Sequence, residues 1–179
     1  KALLKKNDGI YIELGAHDGN TQSNTNWLEA EHGWKGILIE PSIDAFSKCS
    51  QARPNNFHFN CACVAFNYPS DTIRGDFSGH LMSSVFGARR AKDEIMTDVQ
   101  ARTLQSILDE CNLGDIDFLS LDTEGYELEV LKGIDFSKQK IKQILIEITD
   151  EMYGKNDGDI YEFMESKNYS LAGCLSGFT

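Results

Sequence analysis

Ile10-Tyr11-Ile12-Glu13-Leu14-Gly15-Ala16-His17-Asp18-Gly19 decides how this chain reads. Five residues suited to a buried strand run directly into a turn whose glycines stand four apart. Glycine has no Cβ to block a ligand and reaches positive φ without steric cost, so such a turn brings backbone amides close to a bound group. A second apolar strand, Gly36-Ile37-Leu38-Ile39-Glu40-Pro41, ends in a carboxylate 21 positions after Gly19. An acidic side chain about 20 residues beyond a glycine turn is placed to hold the hydroxyls of a ribose. Together the two features point to a ribose-bearing cofactor.

The glycine spacing narrows the choice. A dinucleotide fingerprint needs G-x-G-x-x-G, so that a pyrophosphate can rest on a helix N-terminus. Here only Gly15 and Gly19 are present, with Asp18 between them and Glu13 just before. Two carboxylates beside a pyrophosphate would repel it, whereas they suit an ammonium or a sulfonium. S-adenosylmethionine carries a ribose and both cations and has no phosphate. The competing explanation of Asp18 is helix capping, since a carboxylate at a helix N-terminus is favoured by the dipole.

Composition excludes several classes. The net charge of −11 argues against a nucleic-acid substrate, whose phosphates need a basic surface. Arg89, Arg90 and Lys92 form a local basic cluster, better read as a solvated helix face. No apolar run approaches 18 residues, so no membrane span is expected. No signal peptide is visible, and five cysteines in a chain of 179 residues suggest free thiols under reducing conditions, hence a cytoplasmic location. Cys61-Ala62-Cys63 puts two thiols on one strand face, but no second pair follows at a zinc-ligand spacing. The first residue is not Met, and the expectation is one domain, residues 1–179, cut from a larger protein and fused to other domains there.

Apolar runs at 10–14, 37–40, 57–64, 116–121 and 141–148 read as strands of a parallel sheet covered on both faces. Stretches at 23–31, 43–51, 103–111, 126–132 and 160–166 read as helices. The alternation predicts an α/β, Rossmann-like, doubly wound fold with a mostly parallel sheet. Ligands in such sheets bind beyond the carboxyl ends of the strands, where Glu13, Glu40, Cys63, Asp122 and Glu147 are expected. Residues 67–97, with Pro69, Gly75 and Gly79, read as a loop or hairpin region over the site.

Several runs resemble one family. They are Glu13-Leu14-Gly15-Ala16-His17-Asp18-Gly19, Ser23-Asn24-Thr25, Gly33-Trp34-Lys35-Gly36, Ile39-Glu40-Pro41, Ile116-Asp117-Phe118-Leu119-Ser120-Leu121-Asp122-Thr123-Glu124-Gly125-Tyr126-Glu127 and Val130-Leu131-Lys132-Gly133-Ile134. In this order they resemble the FkbM-type S-adenosylmethionine-dependent methyltransferases of class I fold. The Asp-x-Glu-Gly element is the most specific part. His17 stands where the family carries other polar residues, and the stretch from Asn67 to Thr97 matches poorly. The resemblance implies S-adenosyl-L-methionine as cofactor, S-adenosyl-L-homocysteine as product and an oxygen acceptor on a sugar, glycan or other small molecule. It also implies cofactor contacts from Glu13, Gly15, His17, Asp18, Gly19, Asn24, Glu40 and Pro41.

Strand order puts Ala62 and Cys63 beside the adenine, with core packing the equal alternative. Glu40 offers acceptors to two ribose hydroxyls, and Pro41 pins the turn after it. Methyl transfer to a hydroxyl needs a base near the acceptor oxygen. Asp122, Glu124, Glu147 and His80 are the candidates for that base, with Asp122 also facing the cofactor. His80 lies in Ser78-Gly79-His80-Leu81-Met82-Ser83-Ser84 and has a pKa suited to the task. The carboxylates can alternatively hold a divalent metal that acidifies the hydroxyl, although the spacing does not demand one. Glu127 is expected only to favour the helix dipole, and Trp27 and Trp34 to pack in the core rather than stack on a sugar. Two rivals stand against this reading. One is an NAD- or nucleotide-sugar-dependent Rossmann enzyme, the other a non-catalytic binding module of the same fold.

Overall fold

Period-2 alternation along Ile10–Leu14 (β1) sends Tyr11 to one face of the sheet and Ile12 and Leu14 to the other. The computed structural model describes residues 6–77, 96–148 and 157–174. Five parallel strands form the main sheet: β1, Lys35–Ile39 (β2), Phe57–Phe59 (β3), Ile116–Leu121 (β7) and Ile141–Ile146 (β8). Their order is β3-β2-β1-β7-β8. Each neighbour pair is parallel. The chain winds outward from β1 in both directions, so the switch point lies between β1 and β7.

Each face is covered. On one, Tyr11, Leu38 and Phe118 pack with Leu28, Trp34 and Cys49. Those residues come from or adjoin Asn26–His32 (α1) and Ile43–Ala52 (α2). On the other, Ile12, Ile37, Leu119 and Leu121 meet Leu104 and Ile107 of Leu104–Cys111 (α3), and Val130 and Leu131 of Glu127–Leu131 (α4). Met164 of Asp157–Ser166 (α5) joins that second cluster. The expected α/β doubly wound architecture is what the chain adopts. Trp34 is buried and its indole N–H donates to the Lys6 carbonyl, so it is a core residue.

One element departs from expectation. The single strand expected at 57–64 is two, β3 in the main sheet and Ala62–Cys63 (β4) in a second sheet. Asn60 marks the break: its amide donates to the carbonyls of Glu40 and Pro41, and this ties the chain to the end of β2. β4 pairs in parallel with Met96–Arg102 (β6), which pairs antiparallel with Thr72–Asp76 (β5). The polar, half-exposed β6 lacks the apolar run by which a buried strand is recognised. β5 lies inside the loop or hairpin region expected at 67–97, and β6 begins at its end. His80, Arg89, Arg90 and Lys92 lie outside the described residues.

Candidate active site

Register builds the site. Leu14 pairs with Ile39 on one side and with Leu121 on the other, and Leu121 pairs with Ile146. The residues that follow these four are Gly15, Glu40, Asp122 and Glu147, so they emerge side by side at the carboxyl edge of the sheet. A cleft of about 840 Å³, counting its open mouth, lies there. Its wall includes Gly15, His17, Glu40, Pro41, Ala62, Cys63, Asp122 and Glu124 of the residues singled out in the sequence. Thr21, Gln22, Cys61, Phe77, Thr123 and Tyr126 line it as well. A second concavity, formed by residues 136–142 and 167–170, opens at the amino end of β8. Ligands of doubly wound sheets sit at the carboxyl ends, so the first cleft is the candidate.

The glycine turn folds around Glu40 rather than leaving its amides open. Gly15 N–H and Ala16 N–H both donate to the Ile39 carbonyl at 3.1 Å. His17 N–H donates to Glu40 Oε2 and Ser42 N–H to Glu40 Oε1, each at 2.8 Å. Gly19 N–H donates to the Ala16 carbonyl. Gly15 has φ +76°, and a Cβ there would run into the Asp122 carbonyl, so only glycine fits. Burial raises the pKa of Glu40, while the two backbone N–H groups and the nearby His17 favour its charged form. A carboxylate has about four acceptor positions, so each Glu40 oxygen keeps capacity for a further donor.

Four residues expected at the cofactor are not in the wall. Glu13 lies one residue short of the strand end and faces the α1–α2 side, level with Leu38 and Ser120. Its carboxylate accepts from Ser23 Oγ, Asn24 N–H and Thr25 Oγ1, and Arg53 Nη1 stands at 3.1 Å. Arg53 is itself buried, bonded also to Glu29, the Gly19 carbonyl and Tyr11 Oη. This network spans β1, α1 and the end of α2 and fixes the loop between Gly19 and Thr25. It also explains why Thr25 does not cap α1, since its hydroxyl is committed to Glu13. Asn24 donates its side-chain amide to Ser120 Oγ. Asp18 accepts from Asn20 N–H, Thr21 N–H and Thr21 Oγ1 in a tight local turn. Burial pushes its carboxyl up, but the bonds from Thr21 and Asn20 and the nearby His17 outweigh that and take it down to about 2. Gly19 is buried below the turn, and a Cβ there would press on Arg53 and Cys49. Arg53 carries no sequence signal of its role, because charge pairing across 40 residues leaves no local pattern.

At the far wall, Asp122, Glu124 and Glu147 bring carboxylate oxygens within 4.8 Å of one another. Burial, the hydrogen bond with Glu147 and the charges of Glu147, Glu124 and Glu127 push Asp122 up to about 9. Asp122 is therefore protonated at neutral pH and donates rather than accepts. Glu127 does more than meet a helix dipole: its Oε1 accepts from Thr123 N–H, Thr123 Oγ1 and Gly125 N–H and so shapes the Asp122–Gly125 turn. Glu124, in that turn, has φ +53°, and His17 and Gln22, which also line the cleft, have φ +47° and +57°. Three non-glycine residues in the left-handed region, all lining one cleft, mark the kind of strain that concentrates at binding sites.

A family model described as the methyltransferase FkbM domain matches residues 13–171 of this chain. The chain belongs to the FkbM methyltransferase family. The match takes in the glycine turn, Glu40, the Asp122–Gly125 turn and Glu147. No curated protein and no solved structure gives a match. In this FkbM methyltransferase no helix among the described residues is long and apolar enough to cross a membrane. The hard oxygen donors of Asp122, Glu124 and Glu147 are also of the type a divalent ion takes.

Proposed function

We propose that this protein is an S-adenosylmethionine-dependent O-methyltransferase acting on a hydroxyl of a sugar or glycan. The observation that carries the cofactor reading is the fate of the turn amides. Gly15, Ala16, His17 and Gly19 spend their N–H groups on the protein's own oxygens, so the turn offers no ready cradle for a pyrophosphate. What the cleft offers instead is a buried carboxylate, Glu40, with spare acceptor capacity for two hydroxyl donors. This fits a nucleoside without phosphate and disfavours NAD or a nucleotide sugar. When bound, S-adenosylmethionine supplies an electrophilic methyl group on a sulfonium.

The chain's own residues divide the work. Glu40, oriented by His17 and Ser42, holds the ribose hydroxyls, and Pro41, Ala62 and Cys63 border the base. Gly15 allows the close approach that a Cβ would block. Glu13 and Asn24 act from behind the wall by fixing the loop, and Asp18 fixes the turn. Asp122 shares a proton with Glu147 beside the cofactor's cationic end. Glu124 on the acceptor side and His80 are the candidates to take the proton from the acceptor hydroxyl. The gathering of Asp122, Glu124 and Glu147 favours one second reading, a divalent ion that lowers the hydroxyl's pKa there.

The test is transfer of a labelled methyl group from S-adenosylmethionine to a panel of glycans and small hydroxyl compounds. Label on a carbohydrate oxygen is the expected result. Transfer only to nitrogen acceptors, or none to any panel member, would overturn the acceptor assignment.

A further inference from the structure

Pro41 interrupts the hydrogen bonding at the end of β2. Glu40 N–H donates to the Phe59 carbonyl at 3.1 Å. Pro41 follows and has no N–H, so it gives the sheet no further bond. The carbonyls of Glu40 and Pro41 both turn to one donor, Asn60, whose Nδ2 stands 2.9 Å from each. In an extended strand successive carbonyls point to opposite edges, so two that meet one nitrogen require a turn. Both carbonyls only accept, so the group between them must be an amide –NH2, which asparagine has and aspartate lacks.

Glu40 is thereby held at two levels. Its main chain is fixed by the Phe59 carbonyl on the N–H and by Asn60 on the C=O. Its carboxylate is oriented by His17 N–H and Ser42 N–H, each at 2.8 Å. The Pro41 carbonyl and the Ser42 N–H belong to one planar peptide unit. Fixing that carbonyl on Asn60 therefore aims the Ser42 N–H at Glu40 Oε1. Asn60 is not among the residues that line the cleft, so its influence on a ligand runs through Glu40.

We propose that Asn60 is a positioning residue that sets the Glu40 carboxylate for the two ribose hydroxyls of the cofactor. This role rests on the function proposed above. Without the amide, both carbonyls lose their donor and the Pro41–Ser42 peptide unit is free to tilt. Ser42 N–H then leaves Glu40 Oε1, and His17 alone orients the carboxylate. One carboxylate serving two neighbouring hydroxyls tolerates little such movement, since the groups of a site need placing within about 0.5 Å. Asn60→Asp keeps the shape but turns acceptors toward two carbonyls, so it should act like Asn60→Ala.

The experiment titrates the whole chain calorimetrically with S-adenosylhomocysteine and with its 2′-deoxyribose analogue. Wild type should prefer S-adenosylhomocysteine by about tenfold or more, the scale of one hydrogen bond to a carboxylate. Asn60→Ala and Asn60→Asp should each narrow that preference to about threefold or less. The ratio of the two affinities cancels any fraction of unfolded chain, so a destabilised variant still reads the ribose site. Adding Asn60→Ala to Glu40→Ala should change S-adenosylhomocysteine affinity by about twofold or less, because the group it positions is already gone. An unchanged preference in both Asn60 variants would overturn the inference. So would an undiminished effect of Asn60→Ala in the Glu40→Ala background, which marks a merely structural role. Binding that Glu40→Ala weakens and Asn60→Ala does not leaves the cofactor reading standing and overturns the positioning role alone. A wild type that binds no S-adenosylhomocysteine defeats both.

Discussion

Replacing Asp122 by Asn should change how stability depends on pH. Asp122 titrates at about 9 in the folded chain against 3.8 for a free aspartate carboxyl, so between those values the native state holds a proton that the unfolded state has released. Stability from that proton is complete below the unfolded value and is lost as pH rises toward about 9. One proton corresponds to a slope of about 1.4 kcal/mol per pH unit, or about 2.7 kcal/mol from about pH 6 to about pH 8. Asp122 is only partly buried by the protein, and solvent screening reduces this to roughly 1–2 kcal/mol. Asn keeps an N–H donor for Glu147 and cannot ionise. Urea unfolding at several pH values should show the wild type losing that amount relative to Asp122→Asn as pH rises from about 6 to about 8, with the two nearly equal only below about pH 4. Stability curves that run parallel across this range would refute the shared-proton account.

Other changes probe other parts of the site. Glu40→Ala should weaken S-adenosylhomocysteine by about 1.5–3 kcal/mol in a calorimetric titration, the scale of hydrogen bonds to a charged group, with the fold retained. Arg53→Met should cost about 3–5 kcal/mol in denaturant unfolding, because it strands the buried carboxylate of Glu13 and unpairs the half-buried one of Glu29. Glu124→Gln, or His80→Ala, should lower single-turnover methyl transfer roughly 100- to 10,000-fold at unchanged cofactor affinity if that residue is the base. Activity abolished by a chelator and restored by Mg²⁺ or Mn²⁺ would move the carboxylates to metal ligation.

The fold was legible because its strands are continuous apolar runs. β1, β2, β7 and β8 need no partner to be recognised, and their register then lines up Gly15, Glu40, Asp122 and Glu147. Glu13 stands outside the cleft wall for a reason a sequence does hold, the period of two, which puts it on the opposite face from Leu14. Its burial partner, Arg53, and the split at Asn60 were not legible, because both depend on contacts between distant segments. Glu127 looked like a dipole residue since helix propensity is local, while its three bonds to the Asp122–Gly125 turn are a matter of tertiary geometry. β5 and β6 are legible only as a loop or hairpin region, because a polar strand on a small second sheet buries too little apolar surface to leave a strand pattern.

The cofactor is the central claim, and calorimetric titration of the purified chain with S-adenosylhomocysteine and, separately, with NAD tests it most directly. The account predicts saturable binding of S-adenosylhomocysteine that Glu40→Ala weakens, and no heat of binding with NAD. Saturable binding of NAD with none of S-adenosylhomocysteine would contradict it.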